Sequence, residues 1–143
     1  MAQGAPEVEM GKDLSELATY FLPQVVELLE RLTEAGLEPV IEDTGRNFAE
    51  QERKLNLGVS WTTKSKHLPQ PPEMKSEAID IVPRACMAEK FWGWTGKVET
   101  SHPHWGRLIE IVEALGLKSG VHFPHPDPGH CEYIHPLADS PFT

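Results

Sequence analysis

The chain is predicted to be α+β, with two or three helices packed on a small, mostly antiparallel sheet. Three observations predict it. Apolar residues recur at helical spacing over 14–32 and again over 105–115. Short runs rich in β-branched or apolar residues, within 38–43, 78–82 and 130–134, read as strands. Proline and glycine breakers separate these segments, and no internal repeat, linker or low-complexity run is present.

Residues 1–12 read as a loose, flexible N-terminus. Asp13 and Glu16 have capping-box spacing, with Asp13 as N-cap and Glu16 reaching back. Leu14, Leu17, Phe21, Val25, Leu28 and Leu32 then share one helical face. Pro23 either kinks this helix or starts a second one at its first turn. Gly36 ends it. A strand from Glu38 to Asp43 leads into a turn at Thr44–Asn47, and a helix is expected over 48–57, closed by Gly58. Residues 59–77 read as loop, and 69–76 is expected to be a mobile flap with few core anchors. In the strand over 78–82, Ile79 and Ile81 should face the core while Ala78, Asp80 and Val82 point the other way. Pro83 ends that ladder, and a short helix is expected over 86–94. Ser101 should cap the next helix, which carries Trp105, Leu108, Ile109, Val112 and Leu115 on one face and stops at Gly116. Residues 117–123 read as a strand or hairpin arm. Pro124, Pro126 and Pro128 then forbid regular structure as far as Gly129.

The 143 residues fit one domain that can bury a core without disulfides. A formal charge of −9 argues against nucleic acid, because phosphate binding needs a basic footprint. It also argues against adsorption to anionic lipid. No apolar run is long enough to cross a bilayer, so no membrane insertion is expected. The first residues have neither a basic nor an apolar signal region, so synthesis in the cytoplasm without a signal peptide is expected. The chain is expected to be a monomer. The two cysteines, Cys86 and Cys131, are expected to be unpaired thiols.

The residues that carry chemistry are His67, Asp80 and His130, with Asp127 three positions before the last. Two imidazoles and a carboxylate make an N/O set that suits zinc and leaves a fourth position open for water. Asp80 lies amid Ile79 and Ile81, where a lone carboxylate is costly to bury without a cation or strong donors. His122 and His125 are close enough in sequence to stand in for His130. His102 and His135 read as surface or hydrogen-bonded residues, and His104 as a helix cap. Arg46, at a strand-to-helix junction, suits a solvated charge or a substrate-facing role, and Gln51 shares its neighbourhood. Trp92 and Trp94 read as lids on the core rather than as a ligand stack. Cys131 should point away from the side that His130 faces.

At these residues the chain resembles the M15 family of zinc peptidases, which holds D-alanyl-D-alanine carboxypeptidases and L-alanyl-D-glutamate peptidases of phage endolysins. Ser65-Lys66-His67 matches the family's Ser-x-His. Ala78-Ile79-Asp80 matches its Ala-x-Asp, and Asp127-Pro128-Gly129-His130 its acid-x-x-His. Thr44-Gly45-Arg46 with Gln51 resembles its Gly-x-Arg segment and helix glutamine, and the likeness spans roughly residues 40–134. The segment between His67 and Asp80 is about twice the family's length, Ser76 replaces a glycine, and Lys118-Ser119-Gly120 replaces a tryptophan-glycine segment. The resemblance implies a single peptidase domain over 13–143, with zinc held by His67, Asp80 and His130. It implies Asp127 as general base and acid, and Arg46 on the oxyanion or a substrate carboxylate. Ser65 and Gln51 would be on the substrate side, and Glu132 would support the site rather than act as base. The substrate implied is a peptidoglycan stem peptide in the cell wall or periplasm. The chain would cut it as an L-alanyl-D-glutamate endopeptidase or, alternatively, as a D-alanyl-D-alanine carboxypeptidase. The reading from another class is a non-catalytic, zinc-stabilised binding domain.

Overall fold

The computed structural model describes residues 12–45 and 65–136. Among them four strands form one antiparallel sheet: β1 (Pro39–Asp43), β2 (Ala78–Pro83), β3 (Lys118–Ser119) and β4 (His130–Glu132). Their order across the sheet is β1-β2-β4-β3. Three helices accompany it: α1 (Leu22–Glu34), α2 (Arg84–Met87) and α3 (Pro103–Ala114). The α+β architecture expected from the sequence is therefore the one observed.

Helix α1 buries Val25, Leu28 and Leu32, a stripe spaced three and four residues apart. Pro23 lies in its first turn and starts the helix instead of kinking a longer one. The residues before it form a separate 3-10 turn, Leu14–Glu16, capped by the Asp13 side chain on Ser15 N at 2.9 Å. Glu16 does not close a capping box. Its carboxylate accepts from the Thr44 hydroxyl and from Gly45 N at 3.2 Å, so the turn is stitched to the end of β1. Helices α1 and α3 stop by the same device. Gly36 (φ 82°) and Gly116 (φ 78°) take left-handed backbone. The following residues, Leu37 and Leu117, donate back to Leu32 O and Val112 O at 3.0 and 3.2 Å.

These two helices cover one face of the sheet. Val25, Leu28, Leu32, Leu108 and Val112 pack there against Ile79, Ile81 and Cys131 in one buried cluster. The period-2 reading of β2 holds: Ile79 and Ile81 enter this core, whereas Val82 joins a second cluster with Cys86 and Trp105. Each fully buried aliphatic side chain contributes about 1.5–3 kcal/mol relative to exposure.

Several boundaries differ from expectation. The stretch over 86–94 is a helical turn (Arg84–Met87) and a 3-10 turn (Lys90–Gly93). His102, not Ser101, caps α3, its Nδ1 accepting from His104 N at 3.1 Å. The arm after Gly116 is a two-residue strand followed by a 3-10 turn, Gly120–His122. The stretch 69–76 is anchored rather than loose. Gln70 N bonds Lys75 O at 2.9 Å, the Glu73 carboxylate accepts from Thr19 N at 2.6 Å and from its hydroxyl, and Ser76 is buried. The premise for a mobile flap, a lack of anchors, does not hold. The helix expected over 48–57 lies outside the described residues.

Both cysteines are free and buried. Burial, helped by Glu89, pushes the Cys86 thiol up to about 11, and burial pushes Cys131 well above the ordinary thiol range. Thiolate is the reactive form. Neither thiol should therefore react with Ellman's reagent near pH 8 in the native protein, and both should react on unfolding. Fast native labelling of either would contradict the packing described here.

Candidate metal centre

The site forms on the sheet face opposite the main core. Asp80 sits mid-β2, and the register pairs it with His130 on β4 and with Asp43 on β1. His130 Nδ1 lies 3.1 Å from Asp80 Oδ1, and its Nε2 lies 2.8 Å from Glu132 Oε1. Glu132 is two residues along the same strand and so shares a face with His130. Cys131, between them, points into the core as expected.

His67 comes from a loop, so something other than a ladder must hold it. Ser65 Oγ accepts from His67 N at 3.1 Å, and Ser65 O accepts from Leu68 N at 3.1 Å, which curls the chain around the histidine. Glu77 N then donates to Lys66 O at 2.9 Å and ties the loop to β2. The ring itself donates from Nδ1 to Thr44 O at 2.9 Å, which leaves the Nε2 lone pair for a ligand. Ser76 Oγ donates to the same carbonyl at 2.5 Å.

That lone pair carries the metal argument. His67 Nε2 is buried and has no hydrogen-bond partner among the described residues. Asp80 Oδ1 lies 3.1 Å away, but the contact lacks hydrogen-bond geometry and is an ion pair only if the ring is protonated. In the tautomer that donates Nδ1–H to Thr44, Nε2 is an acceptor aimed at a carboxylate. A cation between them would satisfy both. One ligand atom from each of His67, Asp80 and His130 lies within 4.8 Å of the others, so the three could hold a metal ion. His122 is exposed and engages Glu113 at 2.7 Å, and His125 is exposed; neither belongs to this cluster.

Electrostatics fit the geometry. In the metal-free chain burial alone would raise the Asp80 pKa, but the His67 and His130 rings, by their charge when protonated and by the His130 hydrogen bond, hold the carboxyl well below the usual range. Burial alone would lower His130, yet its hydrogen bonds to Asp80 and Glu132 push it up to about 10. Asp127 is shifted the other way. Crowding by protein and the Asp80 charge raise its pKa, although the residue as a whole is exposed. Asp127 is held by a turn in which its carbonyl accepts from His130 N at 3.2 Å and its N–H donates to Gly120 O at 2.9 Å. Gly120 and Gly129 make this turn fit. A Cβ at Gly120 would meet Asp127 O at 2.6 Å, and one at Gly129 would meet Ile81 O at 2.6 Å. Arg46 and Gln51 lie outside the described residues. Ser65 is present, but turned to its own loop.

Asp80 and Asp127 open onto a cleft of about 390 Å³. Its rim holds features the sequence reading missed. Ile41 pairs with Ile81 and Asp43 with Asp80, so Glu42 is an extra residue in β1. This bulge lets two neighbours, Glu42 and Asp43, line the same cleft. The other wall is Phe91, Trp92 and Trp94 over buried Trp105. Phe91 and Trp92 sit at φ 55° and 56°, left-handed backbone that costs a bulky residue roughly 1–2 kcal/mol. Trp105 Nε1 pins the strained turn by donating to Trp92 O at 2.8 Å. Trp94 packs on Trp105 as the expected lid, whereas Trp92 is half-exposed at the cleft.

No protein-family model matches the chain, and no curated protein matches it. Among solved structures it is similar to the L-Ala D-Glu endopeptidase ChiX of Serratia marcescens. The TM-score is 0.56 at 13% identity, with 89% of this chain and 87% of that chain covered. At that identity the likeness is one of fold.

A linkage test follows from His130. Without metal its folded pKa, about 10, stands above the ordinary 6.5. The stabilisation is therefore fully present below about pH 6.5 and is lost as pH rises toward the folded value. A ligand must be deprotonated, so metal competes with that proton. Chelator-treated protein should lose Tm between about pH 6 and pH 9, and the rise in Tm on adding zinc should grow over the same interval. A metal-free Tm that climbs with pH would contradict the pairing.

Proposed function

We propose that the protein is a zinc-dependent peptidase of the M15 type that hydrolyses the L-alanyl-D-glutamate amide bond in peptidoglycan stem peptides. The observation that carries the reading is the buried, unpartnered His67 Nε2 facing Asp80 and His130. The donor set of two imidazoles and one carboxylate is that of a zinc site with an open position. The fold shared with an L-Ala D-Glu endopeptidase supports the choice of bond.

His67, Asp80 and His130 would hold the ion, which when bound lowers the pKa of a coordinated water to about 7. Thr44 O fixes the His67 tautomer, and Glu132 orients His130 from the opposite ring nitrogen. Asp127 shares the cleft with Asp80, and its raised pKa suits a carboxylate that takes a proton and returns it to the leaving amine. Asp127 is not one of the three clustered ligands, so its carboxylate stays free for that work. Arg46 would supply positive charge to the oxyanion or to a substrate carboxylate.

The test is Asp127→Asn, assayed by mass analysis of fragments released from purified peptidoglycan. The amide keeps the shape and removes the basic oxygen. Turnover should fall about 10²–10⁴-fold, while zinc content by elemental analysis stays at one per chain. Wild-type-like turnover of the variant would move the base to Glu132. A zinc-loaded wild type that releases no fragment would favour the binding-domain reading. The fragment masses identify the bond.

A further inference from the structure

We propose that Glu77 is a positioning residue of the metal centre: from the core side of the sheet it joins the His67 loop to the segment that continues from His130, and so sets the spacing of the two imidazoles about Asp80. This rests on the metal site above and is independent of which bond is cut.

Glu77 is not placed as a ligand. It directly precedes β2, where strand alternation groups it with Ile79 and Ile81 and opposite to Asp80. It is not one of the three clustered donors, and its side chain is 1% exposed. Its bonds instead fasten two segments. The Glu77 N–H donates to Lys66 O at 2.9 Å, one residue before His67. The Glu77 carbonyl accepts from Tyr133 N at 2.8 Å, three residues after His130. The carboxylate repeats both links. Lys66 Nζ lies 3.5 Å from Oε1, and His135 Nε2 lies 2.8 and 2.7 Å from the two oxygens. The Tyr20 hydroxyl donates to Oε2 and steadies the carboxylate from the stretch before α1. The Tyr20 ring meets Tyr133 edge-on at 4.9 Å, and Tyr133 meets His135 in the same way at 4.9 Å. One residue thus gathers both histidine-bearing segments.

Packing alone would not call for an acid here. A buried ion cluster adds little net stability over apolar residues of similar volume. Apolar contact is also non-directional, whereas three donors on one carboxylate fix the direction from which each arrives. The His67 loop has need of such a fixture. Its Nε2 stands 3.1 Å from Asp80 Oδ1 without a strand to hold it there. Thr44 O holds the ring from one side, and Glu77 holds the neighbouring backbone from the other. Loosening Glu77 would let the loop drift while the sheet stays paired, because the ladder of β2 with β4 runs from Ala78 to Asp80.

The experiment measures the zinc affinity of the full chain by competition with a chromophoric chelator. Glu77→Gln should weaken it about 10-fold, the low end for groups that support a metal ligand. Tyr20→Phe leaves every charge in place and should weaken it about 3-fold. Leu28→Ala, a core truncation on α1, should lower Tm and keep the wild-type affinity. In metal-free protein the His67 Nδ1–H resonance should shift or broaden in Glu77→Gln and not in Leu28→Ala. Wild-type affinity in a folded Glu77→Gln would overturn the proposal. So would a loss matched by Leu28→Ala, which marks stability alone, or one absent from Tyr20→Phe, which marks only the missing charge. If Glu77→Gln does not fold, Tyr20→Phe against Leu28→Ala decides in the same terms. If wild type takes up no zinc, the metal reading falls and the His67 resonance decides: a change in Glu77→Gln keeps the positioning of His67, and an unchanged resonance overturns it.

Discussion

Asp80 is the constraint on which the rest depends. It occupies the middle of an interior strand, between two partners, with its flanking isoleucines sealed in the core. A carboxylate in that place, at the floor of a cleft, is only partly solvated, and an isolated one is costly. Two imidazoles converge on it instead, one placed by strand register and one by a carbonyl at the end of β1. The register of β4 against β2 is therefore a chemical requirement as well as a packing one. A slip of one residue would exchange His130 for Cys131, swapping a ring at the site for a thiol.

Much of this was legible from the sequence, for identifiable reasons. The α+β class, the facing of β2 and the direction of Cys131 follow from periodicity, which one chain reports well. Asp80 stood out on chemistry, because a carboxylate among β-branched residues demands a cation, and the resemblance of the Ser65-Lys66-His67 and Asp127-to-His130 motifs singled out the two histidines. What stayed hidden depends on contacts between distant residues. Glu16 serves Thr44 and Gly45 rather than its own helix cap, and Glu73 anchors a proline-rich loop by bonding Thr19. No local pattern encodes either. The Glu42 bulge was hidden because a bulge is a property of two strands together. The left-handed turn at Phe91 and Trp92 defies residue preference, so preference could not predict it.

Glu77 gives a useful contrast with Asp80. It too is a buried acid, one residue before β2. Its carboxylate, however, meets the Tyr20 hydroxyl, His135 Nε2 at 2.7 Å and Lys66 Nζ at 3.5 Å. Burial and the Glu77 contact push the Tyr20 hydroxyl well above the ordinary phenol range, so it remains a donor. Among the described residues these three groups can each donate to Glu77, and together they account for its burial. The same test applied to His67 Nε2 leaves a buried acceptor with no donor. The contrast marks the environment of His67 and Asp80, rather than that of Glu77, as one a cation would complete.

The same reasoning bears on enzyme against binder. A domain that used a metal only to stabilise its fold would gain by closing the fourth position and by removing nearby charge. Asp127 does the reverse. It adds a carboxyl beside Asp80, and both its crowding and that neighbour oppose its ionisation. The Gly120 and Gly129 contacts leave no room for a Cβ, so the turn that holds Asp127 is built closely around it. In the metal-free chain that like charge works against stability, and perturbed carboxyls of this kind gather where a proton is to be moved. Proton transfer at the mouth of the cleft, the role proposed for Asp127, is such a task.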